Sequence, residues 1–213
     1  MWLIRISLCV LLISYYSIFG YLKVRDPKKY KRNFENKIVN PQIITVIVYN
    51  LLCYAMVILP PAGTEGIPYY LLLNPTTHVG FVVLGVLLIV CGLVLSVIAV
   101  IRRKAIGGQD SPEGLVTSGV YSYFRHPIYT GIVWVCLGLP LLTRNLDGLI
   151  MFPVVLAVNM SAALMEERFE VGVRFRDQYR AYKRTTAMFG PKWIWCVIVL
   201  ILLTLVAAGF ITT

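Results

Sequence analysis

Long apolar runs separated by short basic segments dominate this chain. A membrane-spanning helix needs about 20 predominantly apolar residues, and six runs approach that length. They predict helices over residues 2–21, 41–59, 78–101, 128–142, 149–165 and 193–211. The pattern therefore predicts an all-α, polytopic integral membrane protein with about six transmembrane helices.

The fourth and fifth runs differ from the others because they are short and close together. Only residues 143–148 separate them, so the two runs are predicted to form a helical hairpin. Helices of this length would barely cross a bilayer. A hairpin also returns the chain to the side of the membrane on which it began.

The basic residues support this arrangement of spans. Residues 23–37, 102–125 and 168–192 contain seven, four and seven Lys or Arg residues, and a six-span chain places all three segments on one side. Lys and Arg are enriched in cytoplasmic loops. We therefore expect these segments to face the cytoplasm. The membrane would be a bacterial inner membrane or the endoplasmic reticulum.

Composition agrees with a membrane protein. Apolar residues make up 58% of the chain and charged residues 14%, against about 45–50% and 25% in soluble domains. The net charge of +10 does not indicate a nucleic-acid partner, because the basic residues lie in loops between apolar runs. The five cysteines all lie inside apolar runs without metal-ligand spacing, so no metal site is predicted.

These features divide the chain into three predicted parts. Residues 1–101 would form N-terminal transmembrane helices, and residues 102–192 a core made of cytoplasmic segments and the helical hairpin. Residues 193–213 would form a C-terminal transmembrane helix. The longest polar stretches lie in the core, so the chemistry is expected there.

One candidate site is the segment Arg125-His126-Pro127-Ile128-Tyr129. A residue before proline is disfavoured in the helical region, and proline is favoured at the first position of a helix. His126 should therefore close an extended turn, and Pro127 should open the fourth helix. The free N–H groups of the helix start and the Arg125 guanidinium would suit an anion. Alternatively, Arg125 is only another cytoplasmic charge.

The second candidate site is the pair Glu166-Glu167 at the end of the fifth helix. Carboxylates at a membrane boundary are costly unless they are solvated, paired or bound to a ligand. Since the hairpin returns the chain to its starting side, both glutamates should lie near Arg125, His126 and Tyr129. Taken alone, the pair could equally be a solvated helix end that balances nearby arginines.

Together the two segments resemble the isoprenylcysteine carboxyl methyltransferase and phospholipid methyltransferase superfamily. The resemblance covers residues 114–191, and its most specific part is the stretch that ends in Arg-His-Pro-x-Tyr. The matching positions are Leu115, Val116, Gly119, Tyr121, Arg125, His126, Pro127, Tyr129, Glu166, Glu167, Tyr179 and Tyr182.

The resemblance implies a membrane methyltransferase that uses S-adenosyl-L-methionine and a lipid-like acceptor from the bilayer. Its cofactor pocket would lie in the C-terminal half and face the cytoplasm. It places Glu113, Gly114, Leu115, Val116, Tyr121, His126, Pro127, Ile128, Tyr129 and Glu166 around the cofactor. Glu166, Glu167 and Arg125 become the candidate catalytic residues. A glutamate could accept a proton from an amine acceptor, whereas a carboxylate acceptor needs no base.

Three positions depart from the superfamily pattern. In the prenylcysteine branch an arginine one turn before the glutamates is expected to hold the substrate, and Ala162 stands there. The Phe-Gly expected before the tyrosine pair is Phe175-Arg176, and the arginine expected shortly before Pro191 is missing. The acceptor therefore remains open between a prenylcysteine-type carboxyl and a lipid amine.

Two other functions are compatible with parts of the sequence. Membrane sterol reductases, which bind NADPH, share a similar Arg-His-Pro-x-Tyr stretch, although the short chain and the glutamate pair argue against this class. A non-enzymatic membrane scaffold would tolerate the departures at positions 162 and 176.

Overall fold

A computed structural model describes residues 41–58, 75–103 and 114–211 of the chain, together with seven helical positions between residues 7 and 25. The first predicted span is thus described only at scattered positions. Within the described residues all regular structure is helical, as the apolar runs predicted.

Six α-helices follow one another along the described ranges. They are α1 (Pro41–Ile58), α2 (Pro75–Arg103), α3 (Pro127–Thr143), α4 (Leu146–Glu166), α5 (Gly172–Thr185) and α6 (Lys192–Ile211). A short 3-10 helix, Gly119–Ser122, precedes α3, and a π-helical turn, Glu167–Val171, joins α4 to α5. The five predicted runs that fall in the described ranges are therefore helices, and α5 adds a polar one.

Two segments are long and apolar enough to cross a membrane, Thr77–Arg102 and Leu146–Phe169. Three further apolar helices are shorter over the ranges Ile47–Ile58, Pro127–Thr143 and Lys192–Ala208. The length and composition of these helices are consistent with a membrane protein. The count of six spans stays a prediction.

Helix α3 lies at the centre of the helical packing. One buried cluster joins it to α2 and α6 and consists of Phe81, Leu84, Leu88, Leu95, Phe124, Trp134, Leu137, Leu141 and Ile198. A second cluster joins it to α1 and α4 and consists of Tyr49, Cys53, Met56, Val57, Ile132, Cys136, Val155 and Val158. Because neighbours cover α3 on both sides, a helix that is apolar all round is the expected sequence.

Paired glycines let α2 and α3 approach very closely. A Cβ atom on Gly131 would lie 2.4 Å from the carbonyl oxygen of Gly92, and one on Gly138 would lie 2.6 Å from that of Gly85. Small residues at such contacts allow helix backbones to pack in lipid. The contact holds α3, and therefore the helix start at Pro127, in a fixed place.

The turn between α3 and α4 is as tight as the sequence predicted. Arg144 has φ 59° and Asn145 caps α4, where its Oδ1 accepts a hydrogen bond from the Gly148 N–H at 3.2 Å. The Asn145 amide also donates to the carbonyl oxygens of Val57 and Ile58, each at 3.4 Å. One side chain thus ties the hairpin to the end of α1.

Candidate functional site

The start of α3 has the predicted local structure. His126 lies outside the helix with φ −124° and ψ 65°, and Pro127 opens the helix. Both residues are buried. The local structure at this helix start is therefore the one expected for a proline at the first helical position.

The acidic pair marks a change of helix type. Glu166 ends α4, and Glu167 begins the π-helical turn, in which the N–H of Gly172 donates to the Glu167 carbonyl. A Cβ atom on Gly172 would lie 2.3 Å from that carbonyl oxygen, so only glycine fits. Single π-helical turns occur frequently at functional sites.

The hairpin brings these two segments together. His126 Nε2 lies 3.1 Å from Glu167 Oε1, and His126 Nδ1 lies 3.8 Å from Glu166 Oε2. Arg125 Nε lies 3.2 Å from the same Glu167 oxygen. The convergence of the helix start and the glutamate pair, expected from the hairpin, is confirmed.

Lys183 is a member of this cluster that the sequence did not single out. Its Nζ donates to Glu167 Oε2 at 2.7 Å, although about half of the lysine side chain is exposed. The Glu167 side chain is only 4% exposed, so its charge requires such partners. Because Oε1 faces Arg125 and His126 while Oε2 accepts from Lys183, both oxygens of Glu167 are engaged.

Arg125 meets a protein carboxylate at the site where the sequence suggested an external anion. Besides approaching Glu167, its Nη1 donates to the carbonyl oxygen of Lys183 at 3.0 Å. Lys183 lies 58 positions further along the chain, in the last turn of α5. Arg125 therefore joins the two halves of the site.

The chain after α5 runs across the segment that precedes α3. The N–H groups of Arg125 and His126 donate to the carbonyl oxygens of Ala187 and Met188 at 2.9 and 3.1 Å. Two backbone hydrogen bonds, in addition to the side-chain contacts, therefore fix this return segment against the site.

A tyrosine and a glycine complete the contact. The Tyr182 hydroxyl donates to the carbonyl oxygen of Tyr121 at 2.5 Å and lies 3.4 Å from that of Phe124. Gly190 has φ 89°, and a Cβ atom there would lie 2.2 Å from the Phe124 ring. The aromatic ring thus occupies the space that any larger residue would need.

Helix α5 contains a kink at Arg176, whose φ of 39° and ψ of −107° are not helical. Residues other than glycine rarely adopt positive φ. The superfamily resemblance predicted glycine at this position, so the departure coincides with an unfavourable backbone conformation. The kink precedes Tyr179, Tyr182 and Lys183, the residues of α5 that face the site.

The remaining predicted cofactor residues are distributed around this cluster. The ring centroids of His126 and Tyr129 lie 5.7 Å apart, and Ile128 is half-buried. Tyr121 is buried, and its hydroxyl donates to the carbonyl oxygen of Ala99 on α2 at 3.3 Å.

The first part of the predicted cofactor segment is less connected. Glu113 lies outside the described residues. Gly114 has φ 95°, and Leu115 and Val116 are half-buried. The structure places these three residues on the approach to the 3-10 helix, and their contact with a cofactor stays a prediction. In the described ranges no group of three or more His, Cys, Asp or Glu side chains could hold a metal ion.

Comparison with known proteins gives partial matches. Residues 80–172 match the family model for phospholipid methyltransferases. The chain is 33% identical over 120 residues to a protein-S-isoprenylcysteine O-methyltransferase of Saccharomyces cerevisiae, which covers 51% of this chain and 48% of the relative. It is 28% identical over 91 residues to methanethiol S-methyltransferase 1 of Bradyrhizobium diazoefficiens, covering 43% of this chain and 31% of that protein.

A Schizosaccharomyces pombe protein-S-isoprenylcysteine O-methyltransferase is 34% identical over 70 residues, which are 33% of this chain and 30% of the relative. The matched regions thus span about half or less of the length of these curated relatives. No solved structure matches the chain. The family match contains Arg125, His126, Glu166 and Glu167, and the resemblance to the isoprenylcysteine carboxyl methyltransferase and phospholipid methyltransferase superfamily is therefore confirmed.

Proposed function

We propose that this protein is a multi-pass membrane methyltransferase that uses S-adenosyl-L-methionine and methylates a lipid-like acceptor at the cytoplasmic face. The observation that carries the proposal is the contact between the start of α3 and the glutamate pair, where His126 lies 3.1 Å from Glu167 and 3.8 Å from Glu166. The methyltransferase names of the relatives support it.

The residues present fit the cofactor by charge. S-adenosyl-L-methionine carries a carboxylate, an ammonium and a sulfonium. The N-terminus of a helix suits the carboxylate, and a carboxylate of the site suits the cations. Glu113, Gly114, Leu115, Val116, Tyr121, His126, Pro127, Ile128, Tyr129 and Glu166 remain the candidates that would hold it.

The contacts of the two glutamates support a different role for each. Both oxygens of Glu167 are engaged by Arg125, His126 and Lys183, which leaves this carboxylate poorly suited to accept a proton. We therefore assign Glu167 and Arg125 to positioning. Glu166, whose side chain is 11% exposed, is the better candidate to face a bound cation or to act as a base.

The reaction requires little covalent participation from the protein. When bound, the cofactor supplies a methyl group on a sulfonium, which passes to the acceptor nucleophile and leaves a neutral thioether. The protein's main contribution is to hold the acceptor in line with that methyl group. With an amine acceptor, Glu166 would take up the proton; with a carboxylate acceptor, no proton moves.

Isothermal titration calorimetry of the purified protein with S-adenosylhomocysteine tests the proposal. We expect measurable binding that Glu166→Ala weakens about tenfold, the loss of roughly 1.4 kcal/mol. Gln178→Ala, an exposed change on α5, is the matched control and should bind as the unchanged protein does.

A melting assay with S-adenosylhomocysteine and NADPH in parallel distinguishes the reductase alternative. A ligand that binds only the folded state raises the melting temperature. Stabilisation by NADPH and not by S-adenosylhomocysteine would replace the methyltransferase proposal with a reductase. Binding of neither ligand would favour a non-enzymatic membrane protein.

A further inference from the structure

The end of α5 and the start of α6 carry a concentration of positive charge, here called the basic surface. Residues 180–193 contain four basic residues and no acidic one. The four basic side chains are all exposed and belong to Arg180, Lys183, Arg184 and Lys192. Lys183 and Arg184 follow Arg180 by three and four positions, so these three side chains lie on one side of α5.

The opposite side of α5 is used within the protein. Tyr179 and Tyr182 are buried, and the Tyr182 hydroxyl donates a hydrogen bond to the carbonyl oxygen of Tyr121. These contacts hold α5 against the segment that precedes α3. The basic side of the helix is therefore the side that faces an external partner.

Protein groups neutralise little of the charge on the basic surface. Arg180 Nη1 lies 3.3 Å from Asp177 Oδ1, but the two side chains are 80% and 91% exposed, and such pairs contribute little. Lys183 contacts the buried glutamate of the site and still stays half-exposed. Within the described residues, neither Arg184 nor Lys192 takes part in an ion pair. The surface therefore keeps a positive charge.

The basic surface lies where the chain enters an apolar helix. Helix α6 is apolar over the range Lys192–Ala208. Trp193, in its first turn, is 66% exposed, and tryptophan is enriched at membrane–water interfaces. Only residues 186–191 connect α5 to α6, and the N–H groups of Arg125 and His126 donate hydrogen bonds to two of their carbonyl oxygens. The end of α5 is thus held close to the level at which lipid headgroups would lie.

We propose that the basic surface binds the phosphate groups of anionic membrane lipids. Guanidinium and ammonium groups form charge-assisted hydrogen bonds with phosphate oxygens, and basic clusters beside membrane helices attract anionic lipids. An acidic protein would also be attracted by charge, but it would not account for an exposed tryptophan at the start of an apolar helix. This inference goes beyond the proposed methyl transfer and does not depend on it. Because α5 also packs against the candidate site, the bound lipid would lie beside that site.

Melting of the detergent-purified protein with added phosphatidylglycerol, an anionic lipid, or phosphatidylcholine, a lipid without net charge, tests this binding. A lipid that binds only the folded state raises the melting temperature. We expect phosphatidylglycerol to raise it more than phosphatidylcholine does. Salt at about 1 M, where the Debye length is about 3 Å, should reduce the difference.

Neutral substitutions test whether the basic surface is the binding site. The triple variant R180Q/R184Q/K192Q removes three charges and leaves Lys183 in place. We expect it to need at least about tenfold more phosphatidylglycerol for half of the stabilisation, since one basic residue near an anionic membrane contributes about fivefold. Arg184→Gln alone should need about fivefold more, which keeps the test available if the triple variant does not fold. Arg144→Gln, an exposed charge removed from the turn between α3 and α4, is the matched control and should respond as the unchanged protein does.

Four results would overturn the inference. The first is equal stabilisation by the two lipids, and the second is an unchanged response of the Arg184→Gln variant. The third is an equal loss in Arg144→Gln, which would indicate a general effect of net charge. The fourth is equal stabilisation by glycerol 3-phosphate, which carries the phosphate without acyl chains, because this would indicate a site for a free anion.

Discussion

Replacing Arg176 with glycine should stabilise this protein. Arg176 has φ 39° and ψ −107° inside α5, and its side chain is exposed. A residue with a Cβ atom in such a region costs about 1–3 kcal/mol. Glycine removes that cost but adds about 0.5–1 kcal/mol of conformational entropy to be lost on folding. The net gain should be about 1 kcal/mol.

Thermal unfolding in detergent, followed by intrinsic fluorescence, measures this effect. For a chain of this size, about 1 kcal/mol corresponds to a rise of about 2–4 °C in melting temperature. Arg176→Ala is the control, because it removes the guanidinium but keeps the Cβ atom and the strained backbone. If Arg176→Gly melts no higher than Arg176→Ala, the reasoning from backbone strain is wrong.

Two further substitutions test the packing and the cluster. Gly131→Ala should prevent the close contact of α2 and α3, since its methyl group would lie 2.4 Å from the Gly92 carbonyl oxygen. We expect this variant to lose the monodisperse peak in size-exclusion chromatography, and a normal elution profile would contradict the packing described. Glu167→Gln should lower the free energy of unfolding by about 3 kcal/mol, the low end for breaking a buried ion pair, and Glu166→Gln should lower it by less. Equal melting temperatures of the two variants would contradict the positioning role of Glu167.

Periodicity and turn chemistry were sufficient to predict much of the local structure. The apolar runs predicted the helices at α1, α2, α3, α4 and α6, because a run of that length has few other ways to satisfy its backbone in lipid. The proline rule predicted where α3 begins, and the short connection predicted the hairpin. From these local features alone, His126 and the glutamate pair could be expected on the same side.

The partners within the site could not be predicted in this way. Lys183 lies 16 positions from Glu167, and its ammonium reaches Oε2 only because the π-helical turn and the kink at Arg176 redirect the chain. No pattern in a basic, amphipathic helix distinguishes Lys183 from the lysines and arginines around it. The hydrogen bond from the Tyr182 hydroxyl to the carbonyl oxygen of Tyr121 was likewise not predictable, because the two residues lie 61 positions apart.

The sequence by itself therefore determined the helices, the position at which α3 begins and the charge of the groups that meet there, since each depends on a few neighbouring residues. The tertiary structure alone decided that Arg125 binds Glu167 and that both oxygens of Glu167 are engaged. Those features depend on distances between segments that lie far apart in the chain. Helix packing sets such distances, as at the close contact between Gly92 and Gly131.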